Sequence, residues 1–209
     1  MTGDGPSSRS RSSSVLFWHD FASTYSYPAA LRVERVAAAA GVTVAWKPFV
    51  LGAIFAHQGI ADSPFNLNPA KGRYMWRDLE RLCAREGLDW RKPSQFPRSS
   101  LLAARIATVG MTQPWGPVFS KAVFRANFVE DRDIAATPTL AEILRDIGEE
   151  PAPILERAQS APIKDALRAQ TAEAEHLGIF GAPTFQVDNE IFWGQDRLAD
   201  AIAWASRAG

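Results

Sequence analysis

The chain has one cysteine, Cys83, among 209 residues. An internal disulfide is therefore impossible, and no C-x-x-C pair exists for thiol–disulfide exchange or metal binding. Histidine is almost as scarce. His19, His57 and His176 are scattered without the spacing of metal ligands, so no metal is expected. A charge excess is also lacking: 23 Lys and Arg stand against 23 Asp and Glu. No global field draws the protein to nucleic acid or to a membrane surface. Long apolar runs are missing too. The run Val15 to Trp18 is stopped at once by His19 and Asp20, too short for a signal-peptide core or a membrane span, and a cytoplasmic location is expected. Residues 1–14 carry no apolar side chain after Met1 and are rich in Ser, Arg and Gly. They cannot bury enough surface to offset ordering, and a disordered tail is expected there.

What is present is an ordinary globular composition, 46% hydrophobic and 22% charged, enough for one large domain or a small core with an insertion. Val15–Trp18 reads as a buried strand. The polar stretch Asp20-Phe21-Ala22-Ser23-Thr24-Tyr25-Ser26-Tyr27 follows, and the alanine-rich Ala29–Ala40 reads as a helix that Gly41 ends. Val42–Trp46 is a second strand, so residues 15–47 form a β-α-β unit with parallel strands. Ile60–Pro69, with Asp62, Pro64, Asn66 and Asn68, reads as a loop. Helical periodicity begins at Lys71, with Met75, Leu79, Leu82 and Cys83 on one face. Ser100–Gly110, Val118–Phe128, Thr139–Ile147 and Ile154–Gln159 read as further helices, and Ala166–Leu177 as another stopped by Gly178. Pro183–Val187 and Ile191–Trp193 read as a hairpin around Asp188-Asn189-Glu190, and a last helix runs from Asp196 to Ala205. A β-α-β unit, a helical block and an α-β-β-α unit follow a thioredoxin-like order. The expected fold class is α/β, a thioredoxin-like fold with an inserted all-helical domain: 15–49 and 162–209 make the thioredoxin-like part and 50–161 the insertion.

Four short stretches could carry chemistry. Ser23-x-x-Ser26 lies at a strand-to-helix turn, where backbone N–H groups lack partners and an anion or thiolate is stabilised. Redox members of the thioredoxin superfamily hold C-x-x-C at that turn, so two serines exclude dithiol exchange there. Ser23 reads equally as a plain helix cap. Gly181-Ala182-Pro183 allows a cis proline that leaves neighbouring backbone groups free for an extended ligand, or a trans proline opening an edge strand. Asp196 reads as a helix cap or as an acceptor for a ligand ammonium. Lys71 and Arg73 are cations at a helix start, where the dipole disfavours them. They suit an anionic partner such as a carboxylate, or are simply solvated. The aromatics Trp76, Trp90, Phe96, Trp115 and Phe119 could form a flat-ligand pocket or plain core.

Together these stretches resemble the 2-hydroxychromene-2-carboxylate isomerases and their relatives, the kappa-class glutathione transferases. The resemblance rests on Asp20-Phe21-Ala22-Ser23-x-Tyr25-Ser26, Pro69-Ala70-Lys71-Gly72-Arg73-Tyr74-Met75, Phe180-Gly181-Ala182-Pro183-Thr184 and Phe192-Trp193-Gly194-Gln195-Asp196-Arg197-Leu198. Trp46-Lys47-Pro48, Leu51-Gly52 and Phe96-Pro97-x-Ser99 add to it. Thr24 stands where the family commonly has proline, Asp62 where it often has asparagine, and His19 where an aromatic residue is usual.

The resemblance implies a homodimer that binds glutathione as cofactor. Ser23 would hold its sulfur, Thr24 and Tyr25 would line the turn, and Ala182 before cis-Pro183 would pair with its backbone. Gln195 and Asp196 would meet its γ-glutamyl end and Lys71 its other carboxylate, with Asp62 nearby. The implied reaction is cis–trans isomerisation of 2-hydroxychromene-2-carboxylate, or a similar small aromatic carboxylate, to trans-o-hydroxybenzylidenepyruvate through a transient glutathione adduct. A kappa-type transferase or peroxidase, an isomerase of another aromatic or polyketide intermediate, and a non-catalytic thiol- or peptide-binding module are the other readings.

Overall fold

The computed structural model describes residues 14–207. The expected tail lies outside these residues except for Ser14, which opens the first strand.

Strand β1 (Ser14–His19) is an interior strand with Val15, Phe17 and Trp18 buried. It pairs in parallel with β2 (Thr43–Pro48), which sets Phe17 opposite Trp46. On its other side it pairs antiparallel with β3 (Thr184–Val187), which sets Phe17 opposite Phe185. β4 (Glu190–Trp193) closes the hairpin with β3 around Asp188-Asn189, so Glu190 belongs to the strand and not to the turn. The sheet order is β2-β1-β3-β4. The parallel β1–β2 pair joined to an antiparallel hairpin is the thioredoxin arrangement. Sheet pairing brings the turn after β1 next to the loop before β3, although more than half of the chain separates them.

The expected Ala29–Ala40 helix is two pieces, α1 (Ser26–Ala30) and α2 (Val33–Ala39). At the break, Arg32 turns toward Glu86 at 3.3 Å and Gln195 at 3.2 Å. Between β2 and β3 lie α3 (Leu51–His57), α4 (Pro64–Leu67), α5 (Pro69–Glu86), α6 (Leu101–Gly110), α7 (Trp115–Phe128), α8 (Thr137–Asp146), α9 (Pro151–Gln159) and α10 (Ala161–His176). The loop expected over Ile60–Pro69 contains the one-turn α4, capped by the Ser63 hydroxyl, which accepts from the Phe65 N–H. α5 starts two residues earlier than its periodicity suggests. Asn68 caps it through its side-chain oxygen, Pro69 needs no N–H partner there, and Gly87 ends it in the left-handed region at φ 65°. Met75, Leu79, Leu82 and Cys83 are buried as the periodicity requires. A 3₁₀ turn (Gln195–Arg197) precedes α11 (Leu198–Ser206).

The main core joins the sheet to the helices through rings. Phe17 packs edge-on against Trp46 at 5.0 Å and stacks on Phe185 at 5.5 Å. His19 sits fully buried among Phe17, Phe21, Trp46 and Phe124. Burial pushes its pKa down to about 4, so the ring is neutral at ordinary pH. Trp76 stacks with Trp90 and meets Phe96 edge-on, while Trp115 meets Phe119. Of these five aromatics only Phe96 reaches the cleft described below; the others are packing.

Candidate functional site

The turn after β1 is held from inside by Asp20. Its Oδ1 accepts from the Ala22 N–H and its Oδ2 from the Leu51 N–H, each at 2.8 Å, and the Ser100 hydroxyl adds a third bond. Burial raises the pKa of this carboxyl, and the three donors oppose that shift. The Ser23 N–H closes the turn on the Asp20 carbonyl at 3.0 Å.

Ser23 does not stand at the cap position of α1. Tyr25 holds the cap position and its side chain makes no cap bond. The Ser23 hydroxyl instead donates to the Ala182 carbonyl at 2.7 Å and accepts a longer bond, 3.3 Å, from the Ser26 N–H. α1 has five residues, so the dipole expected to act on a ligand there is small. Local N–H and O–H groups dominate. Thr24 is buried and lines the cleft, and its Oγ1 has no partner among the described residues. The Tyr25 hydroxyl donates to Asp78 Oδ2 at 2.9 Å. Burial, and then that bond to an anion, raise its pKa.

The Ala182–Pro183 bond is cis. The loop is pinned by Gly194 N–H to the Pro183 carbonyl at 2.9 Å and by the Thr184 hydroxyl to the Gly181 carbonyl at 2.8 Å. A Cβ at Gly181 would fall 2.2 Å from Trp193 Nε1, so the indole holds its place against this loop only because residue 181 has no side chain.

The third stretch departs from the sequence expectation. Asp196 caps nothing. It lies in the 3₁₀ turn, exposed, with Arg197 Nε at 3.8 Å, because α11 begins only at Leu198. Gln195 accepts from Arg32 through its side-chain oxygen at 3.2 Å. Lys71 is exposed, with its ammonium 5.5 Å from the Phe65 ring centroid. Both Asp62 oxygens accept from Asn66 Nδ2, at 3.2 and 3.1 Å, and one also accepts from the Ser63 N–H.

One cleft of about 1070 Å³ gathers these groups. Ser23, Thr24, Tyr25, Asp62, Lys71, Ala182, Gln195 and Asp196 all line it, and Pro183 lies buried outside the lining. Its remaining wall is mostly apolar, with Leu51, Phe55, Ile60, Phe65 and Phe96. Cys83 is remote from this chemistry. It is buried in the core, and burial pushes its thiol up to about 11.

Several groups that build the site are not singled out by sequence pattern. Asn127, on α7, donates through Nδ2 to the Phe21 carbonyl at 3.0 Å, two residues before Ser23. Its Oδ1 accepts from Arg98 Nη1 at 3.0 Å. Arg98 Nη2 binds Asp131 Oδ1 at 2.5 Å. The Ser94 N–H and then Arg98 hold the Asp131 carboxyl down to about 2. This chain of contacts anchors the Ser23 turn to the helical block. The only sequence signal near it is Phe96-Pro97-x-Ser99, which flanks Arg98; the Phe96–Pro97 bond is also cis.

Fold and site define a thioredoxin-fold protein with serines at the strand-to-helix turn and a cis proline facing them. The model of the DsbA-like thioredoxin domain matches residues 14–202, and the chain belongs to that family. It is 28% identical over 185 residues to a 2-hydroxychromene-2-carboxylate isomerase of Sphingobium xenophagum, covering 88% of this chain and 93% of that one. It is 25% identical over 206 residues to glutathione S-transferase kappa 2 of Caenorhabditis elegans, covering 90% and 91%. The solved structure of a 2-hydroxychromene-2-carboxylate isomerase superposes with a TM-score of 0.84 at 22% identity, covering 93% of this chain and 95% of that one. The expected resemblance and fold class therefore hold. Among the described residues no helix is long and apolar enough to cross a membrane.

Proposed function

We propose that this protein is a glutathione-dependent cis–trans isomerase acting on 2-hydroxychromene-2-carboxylate or a similar aromatic-degradation intermediate, working as a cytoplasmic homodimer. The observation that carries this reading is the Ser23 hydroxyl, 2.7 Å from the Ala182 carbonyl at the cis proline. In this arrangement one rotation of the Ser23 hydroxyl does two things. It releases the Ala182 carbonyl to accept a ligand N–H, and it points an O–H donor at a ligand sulfur.

The residues present fit glutathione. Ala182, just before β3, offers its carbonyl to the cysteinyl unit once the Ser23 hydroxyl turns away, exposed Asp196 suits the γ-glutamyl ammonium, and Gln195 stands beside it. Lys71 suits the glycyl carboxylate. Thr24 and Tyr25 line the turn, and Asp62 supplies acceptor oxygens at the cleft edge. Bound there, glutathione supplies a nucleophilic thiol that is returned unchanged. Ser23 donates to the thiolate and so favours it over the thiol. The turn after β1, the cis-proline loop and the Gln195–Asp196 turn meet most of the cofactor, and the 50–161 segment adds Lys71, Asp62 and the apolar wall that takes the ring of the substrate. A cleft of about 1070 Å³ leaves room for a second compound beside a tripeptide.

One observation favours a kappa-type transferase as the second reading. Among the described cleft residues Lys71 is the one cation outside an ion pair, because Arg98 is bound to Asp131 and Arg197 to Asp196 and Asp200. With Lys71 on glutathione, a carboxylate on the second compound meets only neutral donors, whereas an uncharged electrophile meets an apolar wall. Loss of chromene-carboxylate absorbance with and without glutathione tests the first reading. Turnover that requires glutathione without consuming it supports isomerisation. Stoichiometric loss of glutathione with a neutral electrophile, and no chromene turnover, would replace it by transfer.

A further inference from the structure

A second concavity of about 370 Å³ opens between α3, α6 and α10, on the far side of Val50 and Leu101 from the cleft. It is independent of the reaction proposed above. Lys164, Arg168, Thr171 and Glu175 stand four, three and four residues apart on α10 and so share one face. Arg105 from α6 and His57 from α3 face them across the groove.

The charges do not cancel. Arg168 is taken by Asp165, and His57 Nδ1 lies 3.0 Å from Glu175 Oε2. Arg105 and Lys164 remain. Both are partly buried, and neither has an acceptor among the described residues; Arg105 Nε is fully enclosed. A cation that has lost part of its water without gaining an acceptor favours an anion beside it. The buried Thr171 hydroxyl accepts from the Val50 N–H at 3.2 Å, which leaves its own O–H to donate. Leu101, Leu167 and Ala53 make the rest of the wall apolar.

We infer that this groove is a second binding site, for a small organic carboxylate with an apolar body. The planar Arg105 fork matches a carboxylate, Lys164 supplies the second positive charge, and Thr171 donates a hydrogen bond. A volume near 370 Å³ sits at the low end for ligand pockets and suits a single ring. The Glu175 carboxylate at one end disfavours a dianion such as phosphate.

The probe is benzoate, titrated by calorimetry into the full chain, with inorganic phosphate as the comparison. The expected result is a benzoate-binding mode weakened about tenfold or more by Arg105→Gln and again by Lys164→Gln, since each removes a charged hydrogen bond. Arg105→Lys keeps part of the affinity. Lys164 lies on a helix surface, so its variant folds even where Arg105→Gln does not. The inference is overturned by the absence of benzoate binding, by binding that neither groove variant weakens, or by equal binding of phosphate. A change in solution mass in the groove variants would also overturn it, by marking an interface between copies.

Discussion

Replacing Ser23 by alanine is the sharpest test of the site. In the structure its hydroxyl donates to the Ala182 carbonyl and accepts a longer bond from the Ser26 N–H, so the variant loses both, at a cost of about 1–2 kcal/mol of stability. The effect on a bound thiolate is larger, because the bond lost there is to an anion. A hydrogen bond to a charged group contributes roughly 1.5–3 kcal/mol. Divided by about 1.4 kcal/mol per pKa unit, that raises the pKa of the bound thiol by about one to two units. The thiol is then ionised only at higher pH, so activity falls at neutral pH and recovers toward the wild-type value as pH rises past the new pKa. The assay is ultraviolet thiolate absorbance of the glutathione complex against pH, with turnover measured over the same range. A variant that binds glutathione with an unshifted pKa would refute the role of Ser23. So would a loss of turnover that alkaline pH does not restore, since that loss would come from misplacement and not from ionisation.

Three further outcomes follow from the same geometry. Asn127→Ala leaves the Phe21 carbonyl without its partner and Arg98 Nη1 with only its longer bond, 3.4 Å, to the backbone carbonyl of residue 127, and should cost about 1–3 kcal/mol in urea unfolding while lowering turnover through the displaced Ser23 turn. Unchanged turnover in a folded Asn127→Ala would show that the turn does not need this anchor. Gly181→Ala places a Cβ where Trp193 Nε1 stands, so it should push the indole outward and weaken glutathione binding by calorimetry while the melting temperature changes little; equal affinity would mean that the Trp193 wall is not part of the groove. His19 has a folded pKa lowered to about 4 against 6.5 unfolded, so its contribution is full above pH 6.5 and is lost as pH falls toward 4, by up to about 3 kcal/mol. His19→Phe should flatten that acid limb in pH-dependent unfolding, and an unchanged limb would assign it to other groups.

What the sequence displays and what it conceals divide along a physical line. The strand-turn-helix order around Ser23 and the hairpin after Pro183 are legible because burial and turn chemistry act over a few neighbouring residues. The long α5 is legible for the same reason: four buried side chains repeat at helical spacing. α3 and α4 are not, since helices of seven and four residues with few buried positions leave little period to detect. Asp196 was legible as a polar group at a helix start, but its capping reading depended on where α11 begins, and one 3₁₀ turn moved that point to Leu198.

Asn127 shows the limit most clearly. On α7 it sits between buried Ala126 and Phe128, and its partner Phe21 is 106 residues away. A polar side chain in a helix carries the same letter whether it faces water or a carbonyl in the core. Only the fold supplies the partner that makes its burial tolerable. The groups that face the ligand therefore cluster in short readable stretches, whereas the groups that hold those stretches in place are scattered through the helical block. Ser23 and Asn127 should differ accordingly. Loss of the first alters ionisation and is rescued by pH, and loss of the second alters position and is not.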